Sequence, residues 1–327
     1  MKYRTLGKTG WKISEVSLGT WQVGGKWGSS FDDKLAESIL HKAIDGGVNF
    51  LDTADVYSAG LSEKAVSRVV KSRHEEIFVA TKCGRRLHPH TAEGYNRQNI
   101  TAFIHDSLQN MGLERIDLVQ LHCPPTEVYQ QDEVFGILDD LKAEGKIREY
   151  GVSVEKVSEA MEAIKHPGVA SVQIIFNMMR LKPSEEFFPA AKKANVGIIA
   201  RVPLASGLLT GKFNPETTFG EGDHRFFNRN GEHFDKGETF SGVPFDLAME
   251  VLPTYRRFFG SKLLPMYALK WILMHDAVSC VIPGASREEH VDSNLRTSEL
   301  PELPQMAMDD VKEVYDKYFR KHIHPHW

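Results

Sequence analysis

An aspartate, a tyrosine, a lysine and a histidine stand at or just beyond the C-terminal ends of short apolar runs. Asp52 closes VNFLD, and Tyr57 follows five residues later in DTADVY. Lys82 closes IFVATK and His122 closes DLVQLH. Together these types could deliver a proton from a phenol. A tyrosine with a pKa of about 10 is a poor acid at neutral pH. A nearby ammonium favours the phenolate and lowers that pKa. A carboxylate paired with the lysine keeps it charged and fixed in place. His122 could donate a hydrogen bond to a carbonyl oxygen or pass a proton to Tyr57. The set would polarise a C=O and protonate it as a nucleophile attacks the carbon. The sequence offers no obvious nucleophile, so a hydride from a nicotinamide would fill that role.

Such a set needs elements that bring strand ends together. Eight apolar, β-branched runs of strand length recur: 16–19, 48–52, 77–81, 117–122, 149–153, 172–176, 197–201 and 279–283. Continuous apolar runs of this kind fit strands buried on both faces, hence a parallel sheet. Amphipathic stretches lie between them. DDKLAESILHKAIDGG has Leu35, Ile39, Leu40, Ala43 and Ile44 on one stripe and a glycine stop. SEKAVSRVVKS, NITAFIHDSLQNMG, VFGILDDLKAEGK, VSEAMEAIKH, SEEFFPAAKKAN and LLPMYALKWILMHD follow the same logic. Eight alternating units predict a closed (β/α)8 TIM barrel rather than an open sheet. In such a barrel the C-terminal strand ends converge on the face where chemistry sits.

Two segments depart from plain repeats. Residues 1–15 read as two short strands around Gly-Lys-Thr-Gly, a β-hairpin capping the barrel's N-terminal end. Residues 203–262 form a long insertion between strands seven and eight, whose stretch 217–245 has no clean period. Six of the insertion's phenylalanines (Phe213, Phe219, Phe226, Phe227, Phe234 and Phe240) point to a lid or binding loop rather than a solvated excursion.

Composition bounds the function. The 327 residues suffice for a barrel of about 250 with insertions, read as one domain over 1–327. A net charge of −4 points to neither nucleic acid nor a membrane surface. No window approaches the roughly 20 apolar residues of a membrane span. MKYRTLGKTG has no apolar stretch of a signal peptide. Three cysteines, Cys83, Cys123 and Cys280, argue for a reducing compartment. The expectation is a cytoplasmic protein acting on a small molecule, of open oligomeric state.

FLDTADVYSAG followed by SEKAVSRVV resembles the signature of the aldo-keto reductase superfamily, and the resemblance runs nearly the full length of the chain. It implies a bacterial-type, NADP(H)-dependent reductase of aldehydes or ketones. Its catalytic tetrad falls on Asp52, Tyr57, Lys82 and His122, with Tyr57 as general acid, Lys82 and Asp52 tuning it, and His122 orienting the carbonyl. The same resemblance implies a nicotinamide dinucleotide extended across the barrel mouth, which agrees with the absence of any G-x-G-x-x-G. Cofactor contacts would come from Gly19, Thr20, Trp21 and Asp52, from Ser153 in GVS, and from Gln173 in SVQIIFN. The family's usual asparagine after that serine is Val154 here. Arg201 stands where the family stacks an aromatic residue on the nicotinamide. Pro203, Leu204, Ser206, Gly207, Leu209 and Lys212 match the pyrophosphate loop. Gly284, Ser286, Arg287, His290 and Asn294 match the adenosine-phosphate segment at a helix start. Lysine and arginine usual in that segment are replaced by Gly284 and His290, so Ser286 and Arg287 would hold a 2′-phosphate, favouring NADP(H) over NAD(H).

Trp21 and Trp27 are candidates for the substrate pocket beside Tyr57 and His122. Metal is not expected: His88-Pro-His90 ends no apolar strand, and the histidines at 322, 324 and 326 are Pro-interrupted. Two other roles fit the same residues. One is a sugar or alcohol dehydrogenase running with NAD(P)+. The other is a cofactor-binding regulatory subunit with little turnover.

Overall fold

The computed structural model describes residues 1–25 and 30–327. Its first strands, β1 (Tyr3–Thr5) and β2 (Lys12–Ser14), pair antiparallel with Tyr3 opposite Ser14. The remaining strands are β3 (Leu18–Gly19), β4 (Phe50–Asp52), β5 (Phe78–Cys83), β6 (Ile116–His122), β7 (Ile147–Ser153), β8 (Val169–Ile175), β9 (Gly197–Arg201) and β10 (Val278–Val281). They form one parallel sheet in sequence order. Parallel bridges from Val16 to Val281 and from Gly19 to Gly284 join its two edges, so the sheet closes into the predicted (β/α)8 barrel.

The helices between strands are α1 (Asp33–Asp45), α2 (Leu61–Lys71), α3 (Arg97–Met111), α4 (Asp132–Ala143), α5 (Val157–Ala163) and α6 (Phe187–Ala194). Their ends follow local chemistry. Asp32 caps α1 by accepting from the Leu35 amide, and Asn96 caps α3 by accepting from the Asn99 amide. Gly112 ends α3 in the left-handed region at φ 56°.

The hairpin plugs the N-terminal end of the barrel. Leu6 and Ile13 are wholly buried against Phe50, Phe78, Leu118, Ile199 and Cys280. Trp11 stacks on Phe78 with ring centroids 4.7 Å apart. This end is apolar and sealed, so polar strand termini are concentrated at the other end.

The 203–262 insertion is more ordered than its sequence predicts. After a short helix α7 (His224–Phe227) comes α8 (Phe245–Phe259), fifteen residues long with Pro253 inside it. Its buried residues Ala248, Val251, Leu252, Tyr255 and Phe259 keep helical spacing. Pro253 reads as a breaker and hides that period. Then α9 (Leu264–Leu273) leads to β10, and α10 (Glu288–Leu295) follows it. The tail is also helical: α11 (Gln305–Val314) continues through a π-helical turn, Tyr315–Phe319, into α12 (Arg320–Ile323). Trp327 then donates its indole N–H to Asp235 Oδ1 at 2.9 Å, binding the tail to the insertion. Among the described residues no helix is long and apolar enough to cross a membrane.

Leu6→Ala would open a cavity in the sealed end while leaving the strand termini opposite untouched. A loss of about 2–5 kcal/mol in unfolding free energy is expected from denaturant titration.

Candidate active site

Consecutive barrel strands put Asp52, Lys82 and His122 on neighbouring C-terminal ends, and the loop after β4 brings Tyr57 over them. Lys82 Nζ lies 2.5 Å from Asp52 Oδ2 and 3.2 Å from the Tyr57 hydroxyl, and donates to Thr53 O at 2.9 Å. Lys82 and Asp52 are almost completely buried. The Tyr57 and His122 rings meet edge to face with centroids 6.1 Å apart. The four sequence-predicted residues therefore share one cluster.

Asp52 has further partners. Its Oδ1 accepts from Gln120 Nε2 at 3.2 Å and Gln173 Nε2 at 2.8 Å. Gln173, matched in sequence to a cofactor contact, here holds the aspartate. Gln120 was missed. Its signal was present: a glutamine two residues before His122 in an apolar strand shares that residue's face.

Burial and charge set the protonation states. Burial lowers the Lys82 pKa, but Asp52 and Tyr57 outweigh it, so the ammonium is held above its ordinary value. Burial raises the Tyr57 pKa. Lys82 pulls it down without reversing the shift. This differs from the expected net lowering: the ammonium is present, but desolvation of the phenolate is the larger effect. His122 is pushed well below its ordinary value by burial and then by Arg85, Lys82 and Arg201. Its imidazole is neutral, and its Nδ1 has no hydrogen-bond partner. A neutral imidazole donates through one nitrogen, which suits a contact to a carbonyl oxygen.

Asp55 lies between Asp52 and Tyr57 in sequence, where with Asp52 and His122 it could be read as a divalent-metal ligand, a reading that leaves Lys82 and Tyr57 without a purpose. Asp55 is buried with neither carboxylate oxygen hydrogen-bonded. Burial, then the charge of Glu63, pushes its pKa up to about 7.

The barrel mouth is also where the backbone is strained. Non-glycine residues with positive φ include Ser58 and Ala59 after Tyr57, Cys123 after His122, and Val202, Ala205 and Ser206 after Arg201. A β-branched residue at φ 50°, as Val202 is, is an outlier that only surrounding structure can hold. These kinks turn the chain back over the strand ends.

The remaining matched positions fall around this rim. Thr20 donates to Asp52 O at 3.0 Å and lies 2.8 Å from Ser62 Oγ, so its hydroxyl faces into the protein. Trp21 packs edge-on against His224 of the insertion at 4.7 Å. Trp27 lies outside the described residues. Gly19 bridges Gly284. Ser153 Oγ lies 3.4 Å from Cys123 Sγ. Arg201 is not free to lie flat on a ring: Nη2 lies 2.8 Å from Glu155 Oε2 and donates to Val154 O at 3.0 Å. Glu155, Glu238 and Arg85, which form its surroundings, were not singled out from sequence.

Ser206 and Gly207 sit in a tight turn with φ 54° and 100°, beside Pro203 and Leu204 and ahead of the buried Leu209. The Ser206 hydroxyl donates to Glu238 O at 3.1 Å and accepts from the Phe240 amide at 3.0 Å, tying this turn at the start of the insertion to its middle. Arg287 precedes α10 and donates through Nε to His290 Nε2 at 3.0 Å. The other ring nitrogen of His290, Nδ1, lies 3.4 Å from both the amide and the hydroxyl of Ser286. Burial, then Arg287 and Lys212, lower the His290 pKa, so the exposed Lys212 lies near this segment. Asn294 Nδ2 reaches Gly284 O at 3.4 Å. The strand-seven and strand-eight segments thus converge on one cationic edge.

Comparison with known proteins gives a consistent assignment. A family model described as the Aldo/keto reductase family matches residues 15–316. The chain is 30% identical over 310 residues to an uncharacterized oxidoreductase, YqkF, of Bacillus subtilis (strain 168), covering 93% of this chain and 94% of that protein. The solved holo form of aldo-keto reductase AKR11C1 from Bacillus halodurans is 28% identical, covers 96% of each chain and superposes with a TM-score of 0.76. The glycerol dehydrogenase AKR11B4 from Gluconobacter oxydans is 26% identical, with a TM-score of 0.77 over 98% of this chain and 96% of its own.

Asp55 generates a pH prediction. Its folded pKa lies above the ordinary value of 3.8. Its protonated form therefore favours the fold at acid pH, and that contribution disappears as pH rises through about 7. Asp55→Asn should stabilise the protein by about 2–4 kcal/mol at a pH of about 8 and by little at about 3.5. Chemical denaturation across that range checks it; equal effects at both ends would remove the burial argument.

Proposed function

The chain belongs to the aldo/keto reductase family, and from that premise we propose that this oxidoreductase reduces an aldehyde or ketone to an alcohol, with NADPH as hydride source and Tyr57 as proton donor. One barrel domain over residues 1–327 carries the reaction. The observation behind it is a buried ammonium 2.5 Å from Asp52 and 3.2 Å from a tyrosine hydroxyl, beside a neutral histidine.

A reduced nicotinamide, when bound, supplies two electrons and a hydrogen to the carbonyl carbon. The chain's residues fit such a group. His122 Nδ1 is buried without a partner at the cluster. The Ser206–Gly207 turn has the left-handed backbone that lets amides approach phosphate. Lys212, Ser286 and Arg287 form a cationic edge for the phosphate of the adenosine half, with Asn294 next to it. Arg287 and the pairing of Ser286 with His290 favour a 2′-phosphate, hence NADP(H).

Each protein group has a separate task. The His122 imidazole, kept neutral by burial and three neighbouring cations, donates a hydrogen bond to the carbonyl oxygen. As negative charge builds there, the Tyr57 O–H transfers its proton to it. The phenolate left behind is stabilised by Lys82 Nζ at 3.2 Å and is reprotonated from water. Asp52, fixed by Gln120 and Gln173, balances the ammonium so that it stays charged and in place. The raised Tyr57 pKa matters in this direction, because the phenol remains a proton donor at neutral pH.

A second reading has a specific motive. The similar solved protein from Gluconobacter oxydans is named a glycerol dehydrogenase. The same groups work in reverse, the Tyr57 phenolate beside Lys82 taking the proton of an alcohol.

Cofactor oxidation with a broad aldehyde panel tests the proposal. Turnover with NADPH is expected, and Tyr57→Phe should lower kcat by about 10²–10⁴-fold while leaving cofactor binding intact. Arg287→Ala should raise the NADPH KM about tenfold and leave NADH nearly unchanged. Tight NADPH binding without turnover of any carbonyl or alcohol would shift the reading to a cofactor-binding regulatory subunit. In Asp55→Asn, which removes the group titrating at about 7, reduction should be flat in pH from about 6 to 9, since His122 is already neutral and Tyr57 still protonated.

A further inference from the structure

Three arginines converge beside the proposed reaction centre. Arg85 follows β5, Arg201 ends β9 and Arg180 follows β8. Two carboxylates answer them. Glu155, just past β7, places Oε2 2.8 Å from Arg201 Nη2 and Oε1 3.4 Å from Arg85 Nη2. Glu238 comes from the insertion. It grips Arg85 as a fork, with one contact at 3.3 Å and a shorter one from Nη2 to Oε1, and its Oε2 lies 4.0 Å from Arg201 Nη1. Arg180 donates to the backbone oxygen of Glu155.

The pairing is incomplete. Arg201 Nε and Arg180 Nη1 are buried with no acceptor. Glu155 Oε2 accepts no hydrogen bond despite its 2.8 Å approach to Arg201. A guanidinium in a dry site normally uses its planar fork fully. The two glutamates also crowd each other around shared cations. Glu155 is built into a strand end, whereas Glu238 rides on the insertion. Both Arg85 and Arg201 lie close enough to His122 to depress its pKa, and Arg85 acts on Tyr57 as well. Arg201 Nη2 also lies 3.6 Å from the Sγ of Cys123, the residue directly after His122, so the cluster borders the position assigned to the carbonyl.

We infer that Arg85 and Arg201 form an anion subsite in which Glu238 is an internal placeholder, and that the preferred substrate is a carbonyl compound bearing its own carboxylate a few carbons from the C=O. This rests on the reaction of the preceding subsection. Replacing Glu238 by a substrate carboxylate exchanges like for like, and Arg201 Nε offers the newcomer a donor that Glu238 leaves unused. A neutral substrate that displaced Glu238 would leave Arg85 and Arg201 to share the single carboxylate of Glu155. The alternative occupant is a cation, since Cys123 Sγ and carboxylate oxygens of Glu155 and Glu238 lie within 4.8 Å of one another. The arginines paired with those carboxylates repel a cation, and burial pushes the Cys123 thiol up to about 12, away from the thiolate a metal needs.

The test compares kcat/KM for 4-oxobutanoate and for butanal, a matched pair with and without a carboxylate, in wild type, Glu238→Gln and Arg85→Gln. The anionic-to-neutral ratio should rise about tenfold in Glu238→Gln and fall by at least as much in Arg85→Gln. An unchanged or lowered ratio in Glu238→Gln overturns the subsite, whether or not the arginine variant folds. If wild type reduces neither compound, the reductase reading is judged by the aldehyde panel of the preceding subsection, and the subsite by thermal unfolding with butanoate against butanamide. Greater stabilisation by butanoate, larger in Glu238→Gln, supports it; equal effects of the two overturn it.

Discussion

One buried ammonium organises the mouth of this barrel. Lys82 is a full positive charge with almost no access to water. Removing either partner of such a buried pair typically costs about 3–5 kcal/mol, while apolar substitutes for both often do as well or better. Stability alone is thus a poor reason for the pair. Its geometry has another use: Asp52 takes one side of the ammonium, Thr53 O another, and the remaining direction points to the Tyr57 hydroxyl. Gln120 and Gln173 lock the free oxygen of Asp52, so the ammonium cannot swing away.

Opposite ends of the barrel do opposite work. The N-terminal end is filled by Leu6, Ile13, Phe50 and Phe78 and closed by a short hairpin. The C-terminal end holds the polar network, the unpartnered nitrogens of His122 and Arg201, and the left-handed residues after Tyr57, His122 and Arg201. Strain and desolvated charge persist there because the closed sheet and its sealed base over-determine the strand ends.

The insertion belongs to this architecture. It reaches Trp21 through His224 and Arg85 and Arg201 through Glu238, and two hydrogen bonds from Ser206 hold its own first turn against Glu238 and Phe240. The tail supports it from outside. Trp327 packs so closely on Gly242 that a Cβ there would come within 2.4 Å of the indole, and Arg180 lies 4.6 Å from the same ring. Arg180 also contacts the Glu155 backbone, so the tail is linked physically to the charge cluster at the mouth.

Much was legible in the sequence because the signals were local. Eight apolar runs with helical stretches between them specified a closed barrel. Asp52, Lys82 and His122 could be read as neighbours because barrel strands are adjacent in order. Local signals failed where Pro253 masked the period of α8. They also failed where partners lie far apart along the chain. Gln173 and Asp52, Arg85 and Glu238, and Arg201 and Glu155 meet only because ring closure and the folded insertion bring distant strand ends together. The net rise in the Tyr57 pKa was hidden for the same reason. Residue types give the sign of a charge interaction, but only packing decides how much water is left to oppose it.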